Sequence, residues 1–477
     1  MSNQQSYDAV VVGSGPNGLA AAITLQQRGL QVLLLEAKDT IGGGMRTAEL
    51  TLPGFQHDVC SAIHPMGAAS PFLRSLPLQD FGLEYIHPEV LAAHPFDDGS
   101  AGALYRSLEV TAAGLGADGE AYRTLFEPLV KNWPRIDSHI LGPMLKMPDH
   151  PVSLAAFGLK SLQSGKRIAA RFHTREARGL WAGIVAHSMI PLEDLTSSAI
   201  GFVLTIAGHR GGWPIPKGGS QRIANALAGY FRSLGGTVQT GVEVRKLGDL
   251  PEAKAVLFDV SPKQLLTICG DKLSSLYRWQ LKQHKYGMGV FKIDWALSEP
   301  VPFKSEAARQ AGTVHLGGTF EEVANGERQV WRGKHPTKPF VLFAQPSIFD
   351  ESRAPEGKHT GWTYCHVPNG SKKDMTEVIT DQVERFAPGF RDTILATHTF
   401  NTAEMETYNP NYIGGDMNGG VVNITQLFNR PVLRFSPYRT SAKGIYICSA
   451  STPPGGGVHG MGGYYAAKQA LKDVFND

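Results

Sequence analysis

Three stretches of the 477-residue sequence predict an α/β fold, in which a parallel-sheet domain is interrupted in the chain by an α+β domain. The first stretch, residues 7–36, runs strand, glycine turn, helix and strand. The second, residues 237–260, holds two further strand candidates, at residues 237–247 and 255–260. The third, residues 444–474, repeats strand, glycine-rich turn and helix. Apolar runs of strand length that alternate with helical patterns favour a parallel sheet covered by helices.

The first stretch is organised around a glycine turn. Residues 9–12 form an apolar run, and residues 13–18 (GSGPNG) place G-x-G-x-x-G where the strand must become a helix. Residues 19–28 predict that helix and residues 31–35 a second strand. Glu36 closes this strand, where a carboxylate accepts hydrogen bonds from a ribose hydroxyl, and an acid there disfavours NADP.

The glycines and their neighbours in the turn predict contacts with a dinucleotide. Gly13 permits the tight turn, Gly15 lets backbone N–H groups approach a pyrophosphate at the positive end of the helix, and Gly18 allows close packing of helix and strand. Pro16 and Asn17 lie in the same turn. Because strand, turn, helix, strand and acid follow in the required order, we interpret the segment as a Rossmann-type domain rather than a surface turn.

Residues 37–47 (AKDTIGGGMRT) indicate which dinucleotide is bound. A glycine cluster followed by an arginine resembles the glycine-doublet motif of the FAD-dependent amine oxidase and phytoene desaturase superfamily. Gly43 and Gly44 would let the chain wrap the cofactor closely, and Arg46 would offer its guanidinium fork to phosphates. We therefore predict FAD, with Ala37 beside it; the alternative is an ordinary glycine loop with a solvated arginine.

Composition excludes several classes of protein. The net charge of +3 gives no indication of nucleic acid as a partner, and the four cysteines are far apart, without a C-x-x-C pair. Neither a metal site nor a redox disulfide is indicated. No apolar run reaches the roughly 18 residues of a membrane-spanning helix, and the polar N-terminus leads directly into the first strand. We predict a cytoplasmic protein.

The loop at residues 50–71 holds His57, Asp58 and His64 within eight positions. One interpretation places this loop beside the flavin, with His64 or His57 near its reactive edge. The other makes Asp58 a cap for the following segment and gives the histidines structural hydrogen bonds.

The remaining segments predict the substrate domain. Residues 287–297 alternate with period two and predict a half-buried strand, and residues 339–345 and 360–366 predict two more. Together these strands indicate a mixed or antiparallel sheet. The predicted boundaries give the cofactor domain residues 1–71, 211–262 and 436–477, and the substrate domain residues 72–210 and 263–435.

Residues 151–187 predict a basic helical region within the substrate domain. Its cations are Lys160, Lys166, Arg167, Arg171, Arg175 and Arg178. A basic amphipathic stretch can lie on an anionic bilayer, which would make the protein peripheral at the membrane and suit a lipid-soluble substrate. The alternative is a solvated charged face over a helix that packs on the core.

The C-terminal stretch predicts a second helix N-terminus aimed at the cofactor. Residues 444–449 predict a buried strand, residues 450–463 (ASTPPGGGVHGMGG) a glycine-rich turn and residues 464–474 a helix. Gripped from both ends, the cofactor would contact this turn at Ser451, Gly460 and Met461. His459 lies in the turn, either near the flavin ring or in a structural role.

The whole chain resembles the phytoene desaturase-type FAD oxidoreductases, most of all the subgroup typified by pyridine nucleotide-disulfide oxidoreductase domain-containing protein 2. The resemblance rests on VVGSGPNGLAAA with Glu36, IGGGMRT, GFQHDVCSAIHP, GWPIPKGGSQ and STPPGGGVHGMGGYYAA. It implies a two-domain architecture of the amine oxidase or p-hydroxybenzoate hydroxylase type. The FAD contacts that it implies are Gly13, Gly15, Gly18, Glu36, Gly43, Arg46, Val244, Ser451 and Gly460. The subgroup's name suggests a redox disulfide, but the chain has no C-x-x-C to form one.

From these features we predict hydride transfer from a hydrophobic substrate, such as a polyene or isoprenoid, to flavin N5, with O2 or a quinone as acceptor. His64 and His459 are the candidate bases; the alternative is a pocket without a protein base, in which the flavin and a water take the proton. One alternative is an amine oxidase with an aromatic cage from Trp213, Tyr412, Tyr438 and Tyr464. Another is a redox-neutral flavin-dependent isomerase, or a protein that binds FAD structurally and acts through partners.

Overall fold

The computed structural model describes residues 6–476. The strands in chain order are β1 (Ala9–Val12), β2 (Val32–Leu35), β3 (Thr47–Glu49), β4 (Gln56–Asp58), β5 (Tyr85–Ile86), β6 (Val90–Pro95), β7 (Ala101–Tyr105), β8 (Ile215–Pro216), β9 (Thr237–Gln239), β10 (Ala255–Phe258), β11 (Gly289–Leu297), β12 (Ala311–Leu316), β13 (Val341–Ala344), β14 (His359–Val367), β15 (Ile394–Phe400) and β16 (Ile445–Ile447).

The helices in chain order are α1 (Pro16–Gln26), α2 (Pro65–Ala69), α3 (Pro71–Arg74), α4 (Leu108–Gly114), α5 (Gly119–Ile140), α6 (Pro151–Ser161), α7 (Gly165–Ala169), α8 (Arg175–Ala186), α9 (Ser197–Gly211), α10 (Gln221–Ser233), α11 (Pro262–Cys269), α12 (Ser275–Lys282), α13 (Glu306–Gln310), α14 (Phe320–Trp331), α15 (Thr376–Phe386), α16 (Phe390–Thr393), α17 (Thr402–Tyr408), α18 (Ile424–Leu427) and α19 (Met461–Val474).

A five-stranded sheet, all of whose strand pairs are parallel, forms the first domain, with the order β16-β10-β1-β2-β9. Helices α1, α10 and α19 pack on one face, while α11 and α12 cover the other. A parallel sheet buried on both faces needs apolar residues at successive positions, which is why β1 and β2 are uninterrupted apolar runs. The Rossmann-type α/β fold, discontinuous in the chain, is confirmed.

Two features of this domain differ from the sequence prediction. The strand expected over residues 237–247 ends at Gln239, because Gly241 turns the chain with a φ of 71° and Val242 then donates its N–H to the Glu36 carbonyl. Residues 263–282, which the predicted boundaries assign to the substrate domain, lie in and between α11 and α12 and bury Leu265 and Tyr277 against the parallel sheet. The second cofactor-domain segment therefore extends beyond residue 262.

The second domain is built on a seven-stranded mixed sheet with the order β15-β11-β14-β13-β12-β6-β7. Only the β6–β12 pair is parallel. The predicted strands at residues 287–297, 339–345 and 360–366 are β11, β13 and β14. The sequence did not indicate β12, whose first residues follow helix α13 directly.

Strand β11 corrects the expectation of a half-buried strand, because all nine of its residues are buried. Phe291, Ile293 and Trp295 enter the apolar core on one side of the sheet. On the other side Lys292 forms a buried ion pair with Asp294. A polar face can be buried here because each charge meets an opposite charge.

Asp58 does not cap the segment that follows it, which was one of the two interpretations of this loop. Its carboxylate accepts hydrogen bonds from Thr47 Oγ1 at 2.7 Å and from the Ser220 N–H at 2.8 Å, and it pairs with Arg353 Nη2 at 2.7 Å. Both charged side chains are fully buried. This pair joins the end of β4, in the first cofactor segment, to the chain that follows β13, so it lies at the seam of the two domains.

The cations of the basic region at residues 151–187 fall into two groups, those that form ion pairs and those that do not. Arg175 binds Asp98 and Glu176, and Arg178 binds Glu321. The other four cations form no ion pair within residues 6–476; they are Lys160, Lys166, Arg167 and Arg171. Across the same residues, no helix has the length and apolar character needed to cross a membrane.

Candidate functional site

One continuous cavity of about 870 Å³ connects the two domains. Its first part, here called the crevice, lies beyond the carboxyl ends of β1, β2 and β10, where open parallel sheets bind ligands. Its second part, here called the chamber, lies between α5, α6, α9 and the strands β12 to β14. The site is therefore shared by the cofactor and substrate domains.

The crevice has the shape of a dinucleotide cradle. Gly13 has a φ of 98°, and a Cβ on Gly18 would lie 1.9 Å from the Gly13 carbonyl oxygen. Helix α1 begins at Pro16 without a side-chain cap from Gly15. Pro16 has no N–H and the Gly18 N–H donates to the Asp259 carboxylate, so the Asn17 N–H is the donor of the first turn that is left for an anion. Helix α19 begins beside it, because a Cβ on Gly463 would lie 1.8 Å from the Asn17 carbonyl oxygen.

Glu36 is fixed at the end of β2 with its carboxylate on the crevice wall. One oxygen accepts hydrogen bonds from the Lys38 N–H at 3.0 Å and from Arg46 Nη2 at 3.1 Å. The other accepts the Ser14 N–H at 3.0 Å. The guanidinium of Arg46 also donates to the Thr40 carbonyl at 2.7 Å, so in this structure it orients Glu36.

Most of the residues predicted to bind the cofactor line the crevice: Gly13, Gly15, Pro16, Asn17, Glu36, Ala37, Gly43, Gly44, Arg46, Val244 and Ser451. Gly18, Gly460 and Met461 lie behind the wall, where Gly18 and Gly460 permit close packing of α1 against β1 and α19. The glycine cradle, the uncapped helix and the buried acid fit a dinucleotide. Their roles in binding FAD remain predictions.

The chamber is mainly apolar. The helices α6 and α9 and the segment after α5 contribute apolar side chains to its wall: Leu141, Met144, Leu154, Phe157, Ile200, Val203 and Leu204. Leu162 and Phe428 line the cavity and are also 38% and 43% exposed, so the chamber opens to the surface between them. Such a wall suits a hydrophobic ligand.

The predicted aromatic cage is not assembled as a unit. Trp213 and Tyr412 line the cavity, whereas Tyr438 stacks on Tyr465 and Tyr464 packs on Phe72 away from the cavity. The chamber instead has Trp362 and Tyr364 from β14. Their alternation in residues 360–366 (TGWTYCH) was the available signal, because it places both on one face of the strand.

Comparisons with known proteins agree with this geometry. Residues 11–76 match the family of NAD(P)-binding Rossmann-like domains. The chain is 24% identical to mouse pyridine nucleotide-disulfide oxidoreductase domain-containing protein 2, over 98% of this chain and 94% of that protein. It is 22% identical to the lycopene-forming phytoene desaturase of a Paracoccus species, over 98% and 97% of the two chains.

The fold is shared with putrescine oxidase in complex with putrescine, with a TM-score of 0.62, 17% identity and 99% of each chain covered. The chain is a homologue of the phytoene desaturase-type oxidoreductases. The two-domain architecture of that family and of the amine oxidases is thereby confirmed, and this oxidoreductase has the dinucleotide-binding domain that they share.

His64 of the oxidoreductase lies on the cavity wall with one nitrogen unpaired. Its Nε2 contacts Ser220 Oγ at 2.7 Å, and Ser220 Oγ donates its own proton to the Ser61 carbonyl at 2.6 Å. The His64 Nε2–H must therefore be the donor, which leaves Nδ1 as a free acceptor without a partner. Burial lowers the pKa of His64 to about 4, so the ring is neutral.

His459 of the oxidoreductase uses both nitrogens within its own turn. Nδ1 accepts the Met461 N–H at 3.1 Å, and Nε2 contacts the Gly455 carbonyl at 3.2 Å. The ring lines the cavity, but these bonds leave it no free lone pair. His57, the third histidine considered, contacts Thr51 Oγ1 at 2.8 Å behind the wall.

Asp259 is a crevice residue that sequence reasoning missed. It follows β10, and its Oδ2 accepts the Gly18 N–H at 2.8 Å, at the start of α1. Burial, together with the nearby charge of Glu36, raises the pKa of Asp259 to about 7. The signal was an acid directly after the predicted strand at residues 255–260, where the carboxyl ends of parallel strands meet.

Proposed function

We propose that the protein is an FAD-dependent dehydrogenase or desaturase that removes a hydride from a hydrophobic isoprenoid or polyene substrate. The observation that carries this proposal is the continuity of the cavity. A dinucleotide cradle at one end and an apolar chamber at the other belong to one buried space. A cofactor and a water-insoluble substrate would share it.

Different residues of the chain would bind different parts of the cofactor. The turn at Gly13 and Gly15 and the start of α1 would hold the pyrophosphate, Glu36 a ribose hydroxyl, and the backbone at Val244 the adenine. When bound, FAD would supply the redox chemistry as the hydride acceptor, with O2 or a quinone as the final electron acceptor. The apolar chamber wall excludes water from the reacting carbon.

His64 is the candidate for the proton that leaves the carbon next to the site of hydride loss. Its Nδ1 is neutral and unpaired, and Ser220 holds the ring in the tautomer that leaves this nitrogen free. The apolar substrate itself would exclude bulk water, so a base on the wall is needed within hydrogen-bond reach.

An absorption spectrum tests the cofactor and the chemistry together. We expect near-stoichiometric flavin after boiling, and anaerobic bleaching of the bound flavin by an isoprenoid or polyene. Bleaching by an amine panel instead would establish the amine oxidase alternative. Bound flavin that no substrate bleaches would favour the isomerase or structural alternatives, and failure to bind flavin after reconstitution would overturn the proposal.

Paired variants test the base. We expect His64→Gln to slow anaerobic flavin reduction by about 100-fold or more while the flavin content stays unchanged. His459→Gln should lower flavin retention, because it breaks two hydrogen bonds within the C-terminal turn. Stopped-flow reduction and the flavin-to-protein ratio separate these effects. Equal reduction rates in His64→Gln and the parent protein would remove His64 from the mechanism.

We also propose that the chamber mouth contacts an anionic membrane. Met147, Val152 and Leu159 are 85%, 82% and 73% exposed, and Phe435 is 88% exposed. The first three lie on or next to α6, which lines the chamber, and Phe435 follows α18, whose Leu427 lines the cavity. The unpaired cations of residues 160–171 lie on α6 and in the chain that follows it. Exposed apolar side chains beside unpaired cations are typical of peripheral membrane surfaces.

Co-sedimentation with phosphatidylserine vesicles tests this contact. We expect binding at low salt that weakens at high salt, since the Debye length shortens. Val152→Glu should reduce binding, whereas Val110→Glu, at an exposed valine of α4 away from the mouth, should leave it unchanged. The absence of binding at low salt, or an equal loss in both variants, would refute the membrane contact.

A further inference from the structure

The chamber wall formed by the mixed sheet carries polar groups that its apolar surroundings do not satisfy. Thr313 lies on β12, lines the cavity and is 1% exposed, and its Oγ1 has no hydrogen-bond partner. Its neighbours in the sheet are Ala344 on β13 and Ala92 on β6. Both neighbours are alanines, so neither offers the buried hydroxyl a side-chain hydrogen-bond partner. A buried hydroxyl in such a position is expected to have a hydrogen-bond partner.

A histidine pair lies two residues along the same strand. His315 is fully buried, and its Nε2 lies 3.0 Å from Nε2 of His187, which lines the chamber. Gly183 makes room for this arrangement, since a Cβ there would lie 2.6 Å from the His315 ring. Burial lowers the pKa of both rings, that of His187 to about 3, so both are neutral.

The histidine pair can hydrogen-bond either a hydroxyl oxygen or a carbonyl oxygen of a ligand. In a neutral pair one Nε2 donates and the other accepts. If His187 donates to His315, the His187 Nδ1 is an acceptor; if it accepts, Nδ1 carries the proton and is a donor. The cavity side of His187 can therefore bind a hydroxyl or a carbonyl oxygen.

Tyr364 completes the polar group. It lines the cavity from β14, and its hydroxyl makes no hydrogen bond with any residue in the described range 6–476. Leu342 pairs with both Tyr364 and His315, so the side chains of Thr313, His315 and Tyr364 are on one face of the sheet. Two strand spacings, about 10 Å, separate His315 from Tyr364, and Thr313 lies two residues along β12 from His315, about 12 Å from Tyr364. A small molecule can span these distances.

We propose that Thr313, His187 and Tyr364 form a subsite that binds the hydroxyl or carbonyl oxygen of an otherwise apolar substrate. The substrate class is then an isoprenoid alcohol or ketone rather than a hydrocarbon. The inference deepens the proposed function, on which it rests for the reaction but not for binding. A site built to hydrogen-bond an oxygen discriminates strongly against the analogue that lacks it.

Matched ligands test the subsite in the protein as purified. The probes are farnesol and the hydrocarbon in which its terminal CH2OH is a methyl group. Quenching of the fluorescence of Trp213 and Trp362, which both line the cavity, reports binding without any need for turnover. We expect farnesol to bind at least about tenfold more tightly than the hydrocarbon. Equal affinities would overturn the proposal.

Three variants test which side chain of the chamber wall binds the ligand oxygen. Thr313→Val keeps the shape of the side chain and should bring the two affinities to within about twofold of each other. Ser161→Ala removes another unpaired hydroxyl, on the α6 wall, and should leave the ratio unchanged. Thr205→Val removes an unpaired buried hydroxyl outside the cavity lining and controls for folding. Loss of discrimination in Ser161→Ala but not in Thr313→Val would refute the subsite.

The two proposals fail differently. Tighter farnesol binding in a protein that takes up no flavin would sustain the subsite and end the proposed redox function. Flavin bleached equally well by both probes, with equal affinities, would sustain the redox function and end the subsite.

Discussion

The two ends of the cavity are built in opposite ways. The crevice is formed by backbone, with the turn at residues 13–18 packed so closely that Gly18 admits no Cβ. The chamber is formed by side chains from helices and strands scattered between residues 60 and 428. The crevice also presents fixed charges, whereas the chamber presents apolar surface with a few unpaired polar atoms.

This difference separates the features that recognise dinucleotides in general from those that select a particular substrate. A backbone cradle recognises the parts that all dinucleotides share, so its geometry tolerates little change. A side-chain wall sets the substrate, and its composition can change without altering the fold. We therefore expect substitutions at the crevice to act on stability and cofactor affinity, and substitutions at the chamber to act on ligand choice.

Substitutions at the seam between the two domains should lower the free energy of unfolding the most. Arg353→Met leaves the Asp58 carboxylate buried without its cation and should lower the free energy of unfolding by about 3–5 kcal/mol. Arg385→Met, which breaks a pairing with the exposed Asp97, should cost about 1 kcal/mol or less. Urea unfolding measures both. Equal losses would show that the buried pair does not join the two regions.

A pair of helical glycines compares the two ends directly. A Cβ on Gly18 would meet the Gly13 carbonyl oxygen at 1.9 Å, so Gly18→Ala should destabilise the protein by about 3 kcal/mol or more. Gly158 in α6 has no atom within 4 Å of such a Cβ, so Gly158→Ala should stabilise by about 0.5–1 kcal/mol. Thermal and urea unfolding give the sign of each change; a stable Gly18→Ala protein would contradict the tight cradle.

The pH dependence of cofactor binding should reveal Asp259. With a folded-state pKa of about 7 against 3.8 ordinarily, Asp259 keeps a proton that the unfolded chain releases. Its contribution to stability is thus greatest at low pH and is lost as pH rises from about 4 to 7. Above pH 7 the carboxylate also faces the expected pyrophosphate, so FAD affinity should fall by up to about tenfold per pH unit.

Asp259→Asn should make FAD affinity nearly independent of pH between 6 and 9. The charged groups around Asp259 are Glu36, which raises its pKa, and the Cys448 thiol, whose pKa Asp259 raises in turn. Asp416→Asn is the matched control, because Asp416 is also a buried acid with a raised pKa but does not line the cavity. A pH dependence that persists in Asp259→Asn would assign it to another group.

Much of the crevice could be predicted because its parts are close in sequence. The strand, turn, helix and acid between residues 9 and 36 fix each other's positions through local geometry. The role of Asp259 was not predicted because it accepts a hydrogen bond from Gly18, which is 241 positions away in the sequence. No pattern within the first segment indicates that contact. Strand β11 was misjudged because its alternation is that of a half-buried strand, whereas the ion pair of Lys292 and Asp294 allows full burial.

The sequence alone determined the parallel sheet, the glycine cradle and the acid at the end of β2, because turns, caps and apolar runs act over a few residues. Only the tertiary structure decided which histidine has a free nitrogen, since Ser220 reaches His64 across 156 positions. It also decided that Thr313 and Tyr364 face one chamber. Such pairings depend on how distant segments pack, and that free energy is not contained in any short stretch of chain.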